Sequence, residues 1–346
     1  MSPVLHLSLL CGIAGLVAAI LAGLLAWLPV KRQWLPMDTP GARSSHSLPV
    51  PRGGGIGMVM VGMLAVPALD WAHAWPVRPG FFMLALALVA AIGFLDDRSP
   101  RPALLRLLVH LVAAGIVAWV MLEGAFGLRW PAWQVALAVL ALAWSINLHN
   151  FMDGSNGLLA WQAAWYGATL SAQLFIGGEY GMAAFAMLTG AAALGFLTLN
   201  WPRARVFMGD GASGFIGLAF AAAALFGVVQ KLFGLSESFI IASAFLVDAT
   251  ATLLLRMLRG ERFWQGHREH LYQRFIRAGR SHLWVSLAYL GWNLVVALPM
   301  LVWTRYLEGG PLHFMPAGIV LLLALLVWFL GRLWCAPRVQ QRERGA

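Results

Sequence analysis

The sequence predicts an all-α, polytopic integral membrane protein of about eleven transmembrane helices, with the N-terminus outside and the C-terminus cytoplasmic. Three observations carry this. Hydrophobic residues make up 60% of the 346 and charged residues only 11%, against about a quarter charged in soluble domains. Apolar runs of the length that crosses a bilayer as a helix recur along the whole chain. Finally, once segment 31–53 is set inside, 20 of the 24 Lys and Arg fall in alternate, inner loops. Only Arg78, Arg129, Lys231 and Arg305 remain outside, and this asymmetry is what orients membrane helices.

The expected spans run 4–30, 54–70, 80–95, 103–121, 131–147, 157–176, 181–199, 213–233, 237–258, 283–304 and 314–334. The first is too long for a signal-peptide core and has no basic leader, so it reads as a span. No repeat, low-complexity tract or long linker interrupts the series, and one transmembrane domain accounts for 1–346. Cys11 and Cys335 lie far apart in sequence and supply neither a disulfide framework nor a zinc site. The net charge of +10 sits in short inter-span loops, which argues for membrane orientation and against nucleic acid.

Acidic residues number only 14, so their positions are informative. Asp96, Asp97, Asp153 and Asp210 all fall at inner ends of expected spans, and Asp248 lies within a span near its inner end. One carboxylate at a helix end is as well explained by solvation or capping. Four at one membrane level point to a site, because ionisable groups at that depth are costly. Asp96-Asp97 end a span, where one carboxylate can bind a cation while the other meets substrate or accepts a proton. In Asn147-Leu-His-Asn150-Phe-Met-Asp153-Gly154-Ser-Asn156 the two amides share a face if helical, and Asp153-Gly154 turns the chain. These oxygen-rich, thiolate-free donors suit Mg²⁺, with Mn²⁺ the alternative. Asn156 is also positioned to cap the following helix.

Gly209-Asp210-Gly211-Ala212-Ser213 is a Gly-rich turn before a span, with Asp210 a metal-ligand candidate and Ser213 a phosphate or cap contact. His267-Arg268-Glu269-His270, followed by Arg274, pairs two imidazoles with guanidiniums, a combination suited to diphosphate. A basic loop touching anionic lipid explains Arg277 and Arg280 equally well. The polar, Pro- and Gly-rich segment 38–55 offers Arg43, His46 and Arg52 to an anionic substrate.

In this order and topology, the five segments resemble the polyprenyl-phosphate N-acetylhexosamine-1-phosphate transferases of glycosyltransferase family 4, over about 38–275. The Asp38…Arg43…His46…Arg52-Gly53-Gly54 and His267…His270 segments resemble the branch that initiates O-antigen or related surface polysaccharides more than the peptidoglycan-precursor branch. The resemblance implies transfer of a sugar-1-phosphate from a UDP-sugar to undecaprenyl phosphate, releasing UMP and requiring Mg²⁺. It implies a bacterial inner membrane, a cytoplasmic active site, and often a homodimer. By residue, it implies that Asp96 or Asp97 activates the lipid phosphate and that Asn147, Asn150 and Asp153 line the nucleotide and metal site. Asp210 would bind the metal, and His267 and His270 would lie near the diphosphate. The chain departs from the family pattern at Asn156 (usually Asp) and Ala212 (usually Gly), and lacks the triple-His run of the peptidoglycan branch. Two other readings compete. An aspartate-rich membrane prenyltransferase would carry repeated Asn-Asp-x-x-x-Asp motifs, and a transporter would carry mid-membrane charges in paired repeats.

Overall fold

The structure, a computed structural model, describes residues 3–38, 49–124, 130–262, 265–307 and 310–344. It is helical almost throughout. Helix α1 (Pro3–Lys31) is followed by a two-residue ribbon in which β1 (Met37–Asp38) pairs antiparallel with β2 (Val50–Pro51), Met37 opposite Pro51 and Asp38 opposite Val50. Then come α2 (Ile56–Trp71), α3 (Pro79–Arg98), α4 (Ala103–Trp119), α5 (Ala132–Phe151), α6 (Leu158–Ile176), α7 (Tyr180–Asn200), α8 (Asp210–Val229) and α9 (Leu235–Leu258). A short α10 (Leu271–Arg277) precedes α11 (His282–Trp292), which runs through a π-helical turn (Asn293–Ala297) into α12 (Leu298–Thr304); α13 (Met315–Arg344) ends the series.

Among the described residues, nine helical segments are long and apolar enough to cross a membrane. The two remaining expected spans are α2 and α6. Helix α2 has only 16 residues, and α6 has 19 but carries Gln162, Thr169, Ser171 and Gln173. The span expected at 213–233 starts earlier, at Asp210. Helix α5 runs on to Phe151, one turn beyond expectation, because no Gly or Pro stops it before the Asp153-Gly154 turn.

Helix α8 is the centre. It is apolar on every face, which suits a helix with no lipid-facing side, and α3, α5, α6, α2 and α7 pack around it. Small residues let the backbones approach closely, as membrane helices without a strong hydrophobic drive require. At Gly93 on α3 a Cβ would run into the backbone of Asp210 and Gly211 at the start of α8. The rim is built from α1, α4, α5 and α13, where Leu16, Leu24, Leu104, Leu108, Leu137, Leu322 and Leu333 are exposed and face lipid. Helix α13 packs on α9, and α10 packs on α13.

The ends of α3, α5, α7 and α9 and the starts of α2, α4, α6, α8 and α11 meet at one level, the end where the sequence places its positive charge. A short parallel bridge fixes part of that level. Phe207 N–H donates to the Pro51 carbonyl at 2.8 Å, and Gly54 and Gly55 N–H donate to the Phe207 and Met208 carbonyls at 2.9 and 3.0 Å. This links the segment that carries Arg52 to the turn that carries Asp210.

Gly93→Ala should force α3 from α8, at a cost of about 1–3 kcal/mol for overpacking. Thermal unfolding in detergent should show a clear loss. Gly115→Ala, with nothing within 4 Å of its Cβ position, should show none.

Candidate active site

The Arg52–Phe207 bridge and the Gly93 contact place two guanidiniums among four carboxylates. Arg52 Nε lies 2.7 Å from Asp97 Oδ1, and its terminal nitrogen pairs with Asp210. Arg106, from the first turn of α4, lies 2.6 Å from Asp96 Oδ2 and 3.4 Å from Asp210 Oδ2. Asp97 is almost fully buried and accepts the first N–H groups of α8, from Asp210 at 3.0 Å and Gly211 at 3.4 Å. It thereby satisfies orphan donors at a helix start and sits at the positive end of the helix dipole. Asp96 accepts the Arg101 N–H at 2.6 Å. Gly209, at φ +88, is required here, since a Cβ would lie 2.5 Å from Asp97 Oδ2.

Asp153 lies just past α5 and accepts the Gly209 N–H. Burial raises its pKa well above the carboxylate range; Asp210 and Asp97 push it the same way, and Arg52 opposes them. For Arg52, burial works against the charge, but Asp210, Asp97, Asp38 and Asp153 outweigh it and hold the proton more tightly than usual.

These residues open on a cavity of about 570 Å³ whose wall includes Asp38, Arg52, Arg106, Asn150, Asp153, Asn156, Asp210, His267, Arg268 and His270. Asn150 reaches Asp210. Asn156 bonds the Pro202 carbonyl at 3.2 Å and does not cap α6. Gly157 occupies the cap position, and its N–H goes to the Asn200 side chain at 2.6 Å. His270 is buried, its ring nearly parallel to those of Phe151 and Tyr272. Burial, then the charges of His270, Arg256 and Arg332, push His267 down to about 4 against the pull of Glu269. His270 is lowered as well, burial outweighing Asp248.

Five expected residues lie off the cavity wall: Asp96 and Asp97, which meet it only through Arg106 and Arg52, and Asn147, Ser213 and Arg274. Asn147 turns back to the Ala143 carbonyl at 2.7 Å, beside His110. Ser213 is fully buried and bonds the Asp210 carbonyl at 3.3 Å. Arg274 pairs with Glu269 at 3.6 Å, as do Arg256, Arg259 and Arg332. Burial raises Glu269, but this ring of guanidiniums holds its pKa below the usual range. Arg43 and His46 lie outside the described residues.

Sequence reading missed Arg106, Asn200 and Tyr272. Arg106 was counted only as an orienting charge, although a guanidinium one turn inside an apolar helix signals a buried partner. Asn200, an amide at the end of an apolar helix, carries the same kind of signal. Nothing in the pattern marks Tyr272.

Imidazoles, guanidiniums and carboxylates in one cavity can bind phosphate oxygens together with an oxygen-preferring cation. Among the described residues no three His, Cys, Asp or Glu side chains form a closed metal-ligand set. Mg²⁺ does not need one, since it commonly takes one or two carboxylates and fills its shell with water and substrate phosphates. Around Asp210, four carboxyl groups meet two guanidiniums; burial and this crowding already raise the Asp153 pKa, and a divalent cation would relieve the crowding. The donors fit Mg²⁺, with Asp153 and Asp210 on the cavity wall, where Asp38 is the third carboxylate.

The class defined so far is a polytopic helical membrane protein with a mixed acidic and basic site at one end of its bundle. Residues 80–228, which hold all four carboxylates, match the model of glycosyl transferase family 4. The decaprenyl-phosphate N-acetylglucosaminephosphotransferase of Mycobacterium tuberculosis is 30% identical over 301 residues, 75% of this chain and 73% of that protein. The probable undecaprenyl-phosphate N-acetylglucosaminyl 1-phosphate transferase of Bacillus subtilis is 28% identical over 261 residues, 71% of each chain. The undecaprenyl-phosphate alpha-N-acetylglucosaminyl 1-phosphate transferase of Escherichia coli is 27% identical over 333 residues, 89% of this chain and 87% of that protein. The chain belongs to glycosyl transferase family 4.

The shifted imidazoles give a signed expectation. His267 gains its proton near 6.5 when the loop is free but near 4 when docked, so falling pH through that window favours the undocked loop. Hydrogen exchange in 265–277, corrected for its intrinsic pH dependence, should rise between pH 6.5 and 4. His267→Gln should reduce the rise, leaving the part that His270 contributes; an equal rise in that variant would contradict the assignment.

Proposed function

We propose that this protein transfers a sugar-1-phosphate from a UDP-sugar to a polyprenyl phosphate and releases UMP. The observation that carries the reading is a single cavity joining Asp153 and Asp210 to His267, Arg268 and His270, at the bundle end toward which the sequence gathers its positive charge. The names of the relatives support a polyprenyl-phosphate acceptor and an N-acetylhexosamine, with N-acetylglucosamine the first sugar to test. The charge asymmetry supports a cytoplasmic site in the bacterial inner membrane, where a UDP-sugar is available. Assembly of a surface polysaccharide such as O-antigen is the pathway role proposed.

Asp153 and Asp210 would hold Mg²⁺, which supplies neutralisation of the diphosphate charge. Arg268 and the neutral His267 and His270 would orient the diphosphate through N–H donors. An acceptor phosphate oxygen attacks the β-phosphorus, the bond to the UMP oxygen breaks, and its electron pair leaves with UMP. That oxygen is already anionic at neutral pH, so Asp96 and Asp97 act by holding Arg106 and Arg52, not as bases. Stabilisation of the phosphoryl charge by fixed cations is the larger contribution in such transfers.

Purified protein should release UMP from UDP-N-acetylglucosamine only with both undecaprenyl phosphate and Mg²⁺ present. Asp210→Ala should lower the rate at least about a hundredfold, the scale of losing one charge-stabilising group. Release without lipid acceptor would sink the reading. Asp97→Asn should lower kcat by a similar factor at every pH from 6 to 9. A loss confined to low pH would instead restore a base role.

A further inference from the structure

Asp248 lies on α9, outside the cavity and nearly inaccessible to solvent. A carboxylate at membrane depth is costly unless its lone pairs are satisfied, and four donors converge on this one. Leu271 N–H and Thr252 Oγ1 reach Oδ1 at 2.7 and 3.4 Å. Tyr289 hydroxyl and Tyr272 N–H reach Oδ2 at 2.6 and 3.3 Å. Two of the donors are the first backbone N–H groups of α10, and the other two come from α9 and α11. The carboxylate therefore ties the start of α10 to the bundle.

What it ties down lies on the cavity wall. His270, whose Nδ1 is 3.9 Å from Asp248, and Tyr272 flank Leu271. The Tyr272 hydroxyl donates to the Phe151 carbonyl at 2.9 Å and lies against Gly154, closing over the turn that carries Asp153. The His270 ring is 5.9 Å from Phe151 and 6.0 Å from Tyr272, nearly parallel to each. The contacts form one chain, from Asp248 through the Leu271 and Tyr272 amides to Phe151-Gly154 and Asp153.

We propose that Asp248 is a positioning residue of this site, holding the first turn of α10 so that His270 and Tyr272 stay against the Asp153 turn. The proposal rests on the transferase reading for its kinetic consequence, but its structural half is separable. Asp248→Ala removes every acceptor. Asp248→Asn keeps one oxygen for the Leu271 N–H while setting an amide N–H against the Tyr272 N–H. Tyr289→Phe removes one donor and leaves the carboxylate in place.

Two measurements decide it, both on the full chain in detergent. Hydrogen exchange should show lost protection at 267–274 in Asp248→Ala, an intermediate loss in Asp248→Asn, and unchanged protection in α3 and α8. In UMP release, Asp248→Asn should lower kcat about tenfold in the wild-type background. In a Tyr272→Phe background it should cost no more than about threefold, since residues acting through one another are non-additive. Wild-type exchange at 267–274 in Asp248→Ala, or full additivity with Tyr272→Phe, would overturn the proposal. If Asp248→Ala fails to fold, Tyr289→Phe makes the same comparison, with partial loss of protection at 267–274 expected and wild-type protection overturning it. If the wild-type protein releases no UMP, the transferase reading fails while the exchange result still decides the positioning.

Discussion

The site depends on charge balance in a place where unbalanced charge is costly. Asp96, Asp97, Asp153 and Asp210 come together at the ends of apolar helices, and two guanidiniums make that tolerable. Arg52 binds Asp97 and Asp210, while Arg106 binds Asp96 and Asp210. Both arginines are distant in sequence from Asp210, by 158 and 104 residues, while Arg106 lies ten residues from Asp96 across the α3–α4 turn. Arg52 is delivered by backbone pairing with Phe207, and Arg106 by the packing of α4 on α3. Gly93 and Gly209 leave room for the approach. Removing one partner of a buried, hydrogen-bonded charge pair leaves the other uncompensated, so these residues depend on one another.

The basic half of the cavity is stabilised differently. His267, Arg268 and His270 belong to a loop beyond α9, held by two carboxylates that stand off the cavity wall. Glu269 gathers Arg256, Arg259, Arg274 and Arg332, and Asp248 holds the start of α10. Burial keeps the two imidazoles neutral at pH 7, so they offer an N–H donor without a full charge. Under the proposed function Arg268 would supply the fixed cation, separating recognition of an anion from the acidic cluster that would bind its counter-cation.

Much of the fold was legible because bilayer thickness imposes a length on each apolar run and loop charge imposes a direction. The short α2 and polar α6 are where that rule is weakest, since burial inside the bundle replaces contact with lipid. The four carboxylates were legible because they are rare and lie at one level. Sequence spacing could not tell which face of α5 meets the cavity, so Asn147 was grouped with Asn150 although its amide returns to the Ala143 carbonyl. Nor could it tell that Arg274 has a nearer partner in Glu269. The cap expected of Asn156 is absent because Gly157 takes the cap position, leaving Asn156 one residue too early, with its amide on the Pro202 carbonyl. Tyr272 and Asp248 act through contacts between distant helices, which no local pattern encodes.

The central claim is that the Arg52- and Arg106-bridged carboxylate cluster and the His267–His270 loop form one diphosphate site. A structure determined with UDP-N-acetylglucosamine and Mg²⁺ tests it most directly. The account predicts the diphosphate in the cavity between Asp153–Asp210 and Arg268–His270, with the cation on Asp153 and Asp210. A nucleotide bound elsewhere in the bundle, or a cation held away from both carboxylates, would contradict it.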